Sequence, residues 1–357
     1  MMSATSFERV TTVITGGIPD RVPTDLHNFL MAARLARLPL SECLRSGELM
    51  AESQIVAWRR FRHDMLLVEN GTAALAQAMG CGVRYADDTA PLAIEPVLKR
   101  LEDVAALRPP DPRRDFPLTE VLKAVSLLRR EFGDRVFVMG RADQGPLSLA
   151  AMLRGHGRFF LDLGEETNAP LIERLLDVCV EADLRYASAL RDAGAHGTSL
   201  GELGSDVISP AMYRRFATPR LKKFYGTMRA AGFPASLHQC GDTEAVLGDM
   251  VACGAAILEL DPSTDPRAAK EATRGRAAVL GMVEPANILE RGTPQMVTDK
   301  SREAIEFLAP GGGFILGPGC ALTPETPEDN VMALIEAAEK YGRYLPDGSL
   351  ASTGRPE

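Results

Sequence analysis

The stretch Pro234-Ala235-Ser236-Leu237-His238-Gln239-Cys240-Gly241 joins a short apolar run to two residues able to bind a metal, and its reading decides the fold. It follows a helical pattern over Tyr213 to Ala231 and is too short to form a helix of its own. A run of that length reads as a buried strand. Alternation along a strand then sends His238 and Cys240, two residues apart, to the same face.

Seven other runs share this rhythm: Val22 to Phe29, Met65 to Glu69, Val136 to Gly140, Thr198 to Leu203, Ala256 to Leu260, Ala277 to Gly281 and Gly313 to Gly317. Helical patterns separate them, most clearly at Leu118 to Phe132 and Leu171 to Ala193. Parallel strands require crossover connections, so repeated strand–helix units predict an α/β fold, here a closed (β/α)8 TIM barrel. Thr5 and Glu8 stand at capping-box spacing and predict an N-terminal helical extension over residues 5–15. The expected organisation is one barrel domain over residues 1–345 and a flexible tail over 346–357.

Composition narrows the function. The chain has 357 residues, 45% hydrophobic and 25% charged, the balance of a soluble globular enzyme. Acidic residues outnumber basic ones, 48 to 40, and a formal charge of −8 argues against nucleic acid as a partner. No apolar stretch approaches the roughly 18 residues of a membrane span, and residues 1–10 lack the apolar core of a signal peptide. A cytoplasmic protein is expected, and in that compartment six cysteines read as thiols or metal ligands.

A second metal-capable residue group follows the last run, in Gly317-Pro318-Gly319-Cys320-Ala321-Leu322. The carboxyl ends of barrel strands converge on one mouth, where active sites form, so His238, Cys240 and Cys320 are expected to meet as the catalytic and metal-binding set. One imidazole and two thiolates suit Zn²⁺ and leave a tetrahedral position open. A thiol bound there loses its proton and becomes a sulfur nucleophile suited to alkyl transfer.

His27, Asn70, Asp143, Glu202 and Asp261 fall at strand ends and are expected to bind substrate. Glu69, Arg141, Asp206 and Glu284 join them at the mouth, and Asp261 or Glu259 is a candidate extra ligand. Cys43, Cys81, Cys179 and Cys253 lie in helix-like or apolar stretches and read as small buried hydrophobes. His196 precedes its strand and belongs at the far end of the barrel. No glycine-rich nucleotide loop follows the first strand, and Gly311-Gly312-Gly313 reads as a tight turn.

Several segments resemble the uroporphyrinogen decarboxylase superfamily over nearly the whole chain. They are Phe7-Glu8-Arg9 with Pro19-Asp20-Arg21-Val22-Pro23, Gly145-Pro146, Ile208-Ser209-Pro210 through Pro219, Gly281 to Pro285, and Gly319 to Asn330. The resemblance implies a (β/α)8 barrel. The His-x-Cys pair with a distant cysteine is similar to the zinc-dependent branch, which includes methylcobalamin:coenzyme M methyltransferases, other corrinoid-linked methyltransferases and epoxyalkane:coenzyme M transferase.

That branch implies zinc on His238, Cys240 and Cys320, and a corrinoid (methylcobalamin) as co-substrate or on a partner corrinoid protein. It also implies a small thiol such as coenzyme M, or a methylated donor, with no nucleic acid or membrane partner. Metal-free decarboxylation is the alternative, and a non-catalytic tetrapyrrole-binding module another. Porphyrinogen decarboxylases carry an arginine-rich motif of Arg-Gln-Ala-Gly-Arg type near the start. Here the matching region, His27 to Arg34, lacks such a pair.

Overall fold

A computed structural model describes residues 4–204 and 206–351. Strands β1 (Met65–Val68), β4 (Phe137–Gln144), β5 (Gly197–Glu202), β6 (Ala235–Gln239), β7 (Ile257–Leu260), β8 (Ala278–Val283) and β9 (Phe314–Pro318) form one parallel sheet in that order. A separate antiparallel hairpin, β2 (Gly82–Arg84) with β3 (Leu92–Glu95), follows the first strand. The hairpin lies outside the strand–helix rhythm: its strands are three and four residues long, and Leu92 and Ile94 on β3 are exposed rather than packed in the core.

Seven of the eight expected strands are present, and the first is a correction. In place of a strand over Val22 to Phe29 there are two isolated parallel bridges, Thr24 to Leu316 on β9 and Asp25 to Met65 on β1. Three features keep the run from extending as a ladder. Pro23 has no N–H to donate. The Thr24 N–H is taken by the Asp64 carboxylate at 2.9 Å. His27 then turns the chain with φ 43°, outside extended geometry.

The sheet is curled around an inner core of Met65, Leu67, Phe137, Met139, Ile257, Ala278, Leu280 and Ile315. Side chains two apart on neighbouring strands share that concave face. Val10 and Val13, on the helix Ser6–Ile14, complete the inner core from below. The opposite face of the sheet packs against helices in a larger apolar layer that includes Leu66, Val138, Leu200, Leu237, Leu258 and Val279. The expected capping box forms, with the Glu8 N–H donating to Thr5 Oγ1 and the Thr5 N–H to Glu8.

Two helices match their sequence patterns closely, Leu118–Phe132 and Ala169–Asp192. The pattern over 213–231 divides into a π-helical turn, Tyr213–Ala217, and the α-helix Thr218–Ala230. Pro219 is tolerated there because it sits in the first turn of the α-helix. Beyond residue 345 the expected tail is hydrogen-bonded as far as Ala351, through Leu345 N to Ser349 O and Ala351 N to Arg343 O. Residues 352–357 lie outside the described residues. No helix among the described residues is long and apolar enough to cross a membrane.

Candidate metal centre

Strand β6 places Ser236 and His238 on the concave face, and Cys240 continues the alternation just past the strand end. Cys320 arrives from beyond β9, two residues after Pro318. Gly319 makes this approach possible, since a β-carbon there would stand 2.4 Å from Pro262 Cδ. One donor atom each from His238, Cys240 and Cys320 then lies within 4.8 Å of the others. His238 Nε2 is 3.1 Å from Cys240 Sγ and 3.8 Å from Cys320 Sγ, and the two sulfurs are 3.8 Å apart.

The other imidazole nitrogen is also engaged. The β6–β7 register sets Glu259 beside His238, and Glu259 Oε2 is 3.4 Å from His238 Nδ1. Glu259 is itself held by Ser236 Oγ at 2.6 Å and Ser199 Oγ at 3.2 Å, both donating to Oε1. A carboxylate on Nδ1 favours the tautomer that carries its proton there, which leaves the Nε2 lone pair facing the sulfurs. Neither serine had a signal in the sequence beyond its place on an inward face.

The two thiols divide their acidity. A hydrogen bond from Cys240, aided by His238, holds Cys320 well below the usual thiol range. The same contact, with burial and the neighbouring sulfur charge, holds Cys240 well above it. A thiol already biased toward thiolate is a good donor to a soft cation. Among the described residues the three-donor cluster includes no carboxylate.

Beside the sulfurs lies an ion-paired group. His27 Nε2 is 2.5 Å from Glu69 Oε1, and the His27 ring meets the His238 ring edge-on at 5.9 Å between centroids. Arg141 Nε is 3.5 Å from Glu69 Oε2. Burial opposes protonation of His27, but the Glu69 charge outweighs it and raises the pKa to about 9. Burial opposes ionisation of Glu69, yet Arg141 and His27 together hold its pKa below the usual range.

The remaining mouth residues sort by what they touch. Asn70 is buried at the end of β1. Asp143 has φ 74° and accepts from Leu75 N at 2.5 Å, while its Oδ1 has no partner; burial raises its pKa to about 7. Asp25, which the sequence did not single out, is fully enclosed beside Glu259 and His27, and burial lifts its pKa to about 7 as well. Asp261 closes a local turn through Ser263 N and Oγ.

Two carboxylates are committed to helix ends. Glu202 accepts from Leu147 N at 3.1 Å, Ser148 N at 2.8 Å and Ser148 Oγ at 2.7 Å, and so caps the helix Pro146–Arg154. Glu284 likewise accepts from Ala286 N, Asn287 N and Ile288 N. Asp206 is exposed, beside Gly204 and Gly241. Arg34, in the region where a decarboxylase motif would fall, is 59% exposed and paired with Glu325 at 2.6 Å. Cys43, Cys81, Cys179 and Cys253 are buried, and His196 packs on Phe7 and Phe137 at the opposite end of the sheet.

Comparison with known proteins places this geometry in context. The family model described as uroporphyrinogen decarboxylase (URO-D) matches residues 5–341. The methylcobamide:CoM methyltransferase MtaA of Methanosarcina barkeri is 28% identical over 305 residues, covering 84% of this chain and 86% of that protein. The uroporphyrinogen decarboxylase of Thermus thermophilus is 30% identical over 314 residues, covering 85% and 87%. A solved methyltransferase from Methanosarcina mazei superposes with a TM-score of 0.86 at 26% identity, over 94% of this chain and 98% of its own.

Proposed function

The chain belongs to the uroporphyrinogen decarboxylase family, and from that membership we propose that it is a zinc-dependent methyl or alkyl transferase. The group moves between a corrinoid and a small thiol such as coenzyme M, or from a methylated donor to a corrinoid. The observation that carries this reading is the convergence of His238, Cys240 and Cys320 within 4.8 Å. Relatives of both activities share the family, but metal-free decarboxylation gives those three donors no role. Methyl transfer to a thiol, the activity named for the methylcobamide:CoM methyltransferase relative, gives them one as ligands of a metal that ionises the thiol.

The residues fit the metal. An imidazole and two thiols, one already biased toward thiolate, form a borderline-soft set that zinc prefers. Zinc held there supplies the positive charge that keeps a thiol sulfur ionised near neutral pH. The chain's own residues do the positioning. Glu259 fixes the His238 ring, with Ser199 and Ser236 holding the carboxylate still. The Glu69 pair with His27 keeps a compensated charge beside the sulfurs.

Further parts of the reading rest on the same membership. The corrinoid is free methylcobalamin or rides on a partner protein in the cytoplasm, and substrates are bound by His27, Asn70, Asp143 and Asp261. Residues 1–345 act as one barrel domain in which the segment around Thr24 and Asp25 closes the sheet between β9 and β1. An epoxide carbon in place of the methyl group suits the same donors.

The test is metal analysis of the wild type and Cys320→Ser, with methylcobalamin demethylation followed across a panel of thiols and an epoxide. About one zinc per chain in the wild type, lost in the variant, is expected together with thiol-dependent demethylation. A chain that stays zinc-free after reconstitution overturns the reading. Carbon dioxide release from a porphyrinogen, unaffected by Cys320→Ser, assigns it to decarboxylation instead.

A further inference from the structure

The end of the sheet opposite the metal donors carries positive charge that no acidic neighbour offsets. A cavity of about 520 Å³ opens there. Its walls are the end of the helix Ser6–Ile14, the segment Thr273 to Ala278 leading into β8, and the turn Pro310 to Gly313 before β9. Lys270, Arg274 and Arg276 line it, and none of its lining residues is acidic. The chain as a whole has 48 acidic residues to 40 basic ones, so this grouping runs against its composition.

Lys270 reports the local potential. Its ammonium donates to Leu308 O and, at 3.0 Å, to Gly312 O, two neutral carbonyls. Burial first, and then the Arg274 charge, lower its pKa to about 8. Among the described residues no carboxylate pairs with Lys270, Arg274 or Arg276. The two carbonyls give Lys270 a structural task, holding the turn after the helix Pro294–Leu308. Both arginines are exposed, and their side chains have no acceptor among the described residues.

A second cavity, of about 560 Å³, adjoins the first along Ile14, Thr15 and Arg276. Its wall is largely apolar, with Phe7, Phe137, Met228 and Phe233, the last three buried. Arg229 lines it too, against Gly254, where a β-carbon would lie 3.0 Å from Nη1. No carboxylate lines this cavity either. Both volumes fall in the range of small-molecule sites, roughly 300–1,000 Å³. One cavity offers cations, the other a recess from water, and Arg276 borders both.

We propose that this face binds one small amphiphilic phosphate. Its phosphoryl group lies among Lys270, Arg274 and Arg276, and its apolar body enters the recess lined by Phe7, Phe137 and Phe233. A phosphate dianion matches several cations better than a carboxylate does, and arginine meets its oxygens in bidentate pairs. The site stands at the amino-terminal ends of β8 and β9, whereas the metal donors lie at and past the carboxyl ends of β6 and β9. The inference is therefore independent of the methyl-transfer reading.

Calorimetric titration of the full chain with hexyl phosphate, inorganic phosphate and 1-hexanol tests the site. Hexyl phosphate is expected to bind at least ~10-fold more tightly than either of the others. The double variant Arg274→Gln, Arg276→Gln is expected to lose at least ~10-fold in that affinity, with the zinc content of the reconstituted chain unchanged. Both side chains are exposed and Lys270 is left in place, so the fold is kept. Affinity unchanged in the double variant, or hexyl phosphate no tighter than inorganic phosphate, overturns the proposal. Sedimentation with phosphatidylcholine vesicles carrying phosphatidic acid separates a free ligand from a lipid headgroup. The chain is expected to stay in the supernatant, and co-sedimentation that the double variant abolishes overturns the single small ligand in favour of a membrane surface.

Discussion

His238 has one nitrogen on Glu259 and the other between two sulfurs, so a change at Glu259 is felt at the metal donors. Glu259→Gln is expected to weaken zinc binding about 10- to 100-fold, read by competition with a chromophoric chelator, while circular dichroism stays that of the wild type. His27 gives a pH-dependent effect of opposite character. Its pKa rises from 6.5 to about 9 on folding, worth about 3 kcal/mol. Because the folded value is the higher one, that stability is full below about pH 6.5 and is lost as pH rises through 9. Urea denaturation of wild type and His27→Gln between pH 6 and 10 should show the two curves converging at the alkaline end. None of these partnerships was legible beforehand. The sequence marks His238 and His27 as ring nitrogens at strand ends, but which carboxylate meets which nitrogen depends on register.

At the scale of elements, Glu202 shows how one sequence signal serves two structures. A carboxylate at a strand end reads as a substrate contact, yet here it caps the helix Pro146–Arg154, 55 and 54 positions along the chain from the N–H groups that donate to it. Gly145 leaves room for it, since a β-carbon there would lie 2.8 Å from Glu202 Oε2. Glu202→Ala is therefore expected to destabilise the fold by about 3 kcal/mol in equilibrium denaturation, with zinc stoichiometry unchanged. A variant of wild-type stability with impaired substrate binding would contradict the capping role. The strands themselves were legible because apolar runs buried on both faces need no partner to be recognised. The segment around Thr24 carries Val22, Leu26 and Phe29 among polar residues, and there Pro23 lacks an N–H and the Thr24 N–H goes to the Asp64 carboxylate, so only isolated bridges form.

Across the whole molecule, the inner core and the metal donors occupy opposite ends of one concave face, and the N-terminal helix closes the apolar end. That helix is fastened by Asp64, fully buried, which accepts from Arg9 Nη1 at 2.6 Å and Arg21 Nη1 at 2.7 Å. Asp20 holds the other side of Arg9 at 2.6 Å. Removing one partner of such a network leaves a buried charge, so Asp64→Ala is expected to cost about 3–5 kcal/mol, measured by denaturant unfolding. The Asp64 pKa is lowered, burial being outweighed by the two arginines. Its contribution is thus present above the ordinary carboxyl value and is lost as pH falls through the folded value, giving the wild type an acid transition that the variant lacks. Arg9, Asp20 and Arg21, from the two N-terminal segments that carry the family resemblance, are the pieces of this clasp.

The sequence by itself determined the alternation of strands and helices, the capped first helix, and a His-x-Cys pair on one face with a cysteine after the last strand. These are local facts, set by side-chain periodicity and turn chemistry within a few residues. Only the tertiary structure decided that the three donors come within 4.8 Å, that Glu259 orients the imidazole, and that Arg141 lies buried beside Glu69. Each of those depends on strand register and on the curl of the sheet. A one-residue slip in register turns every side chain to the other face, and no window of sequence contains that information.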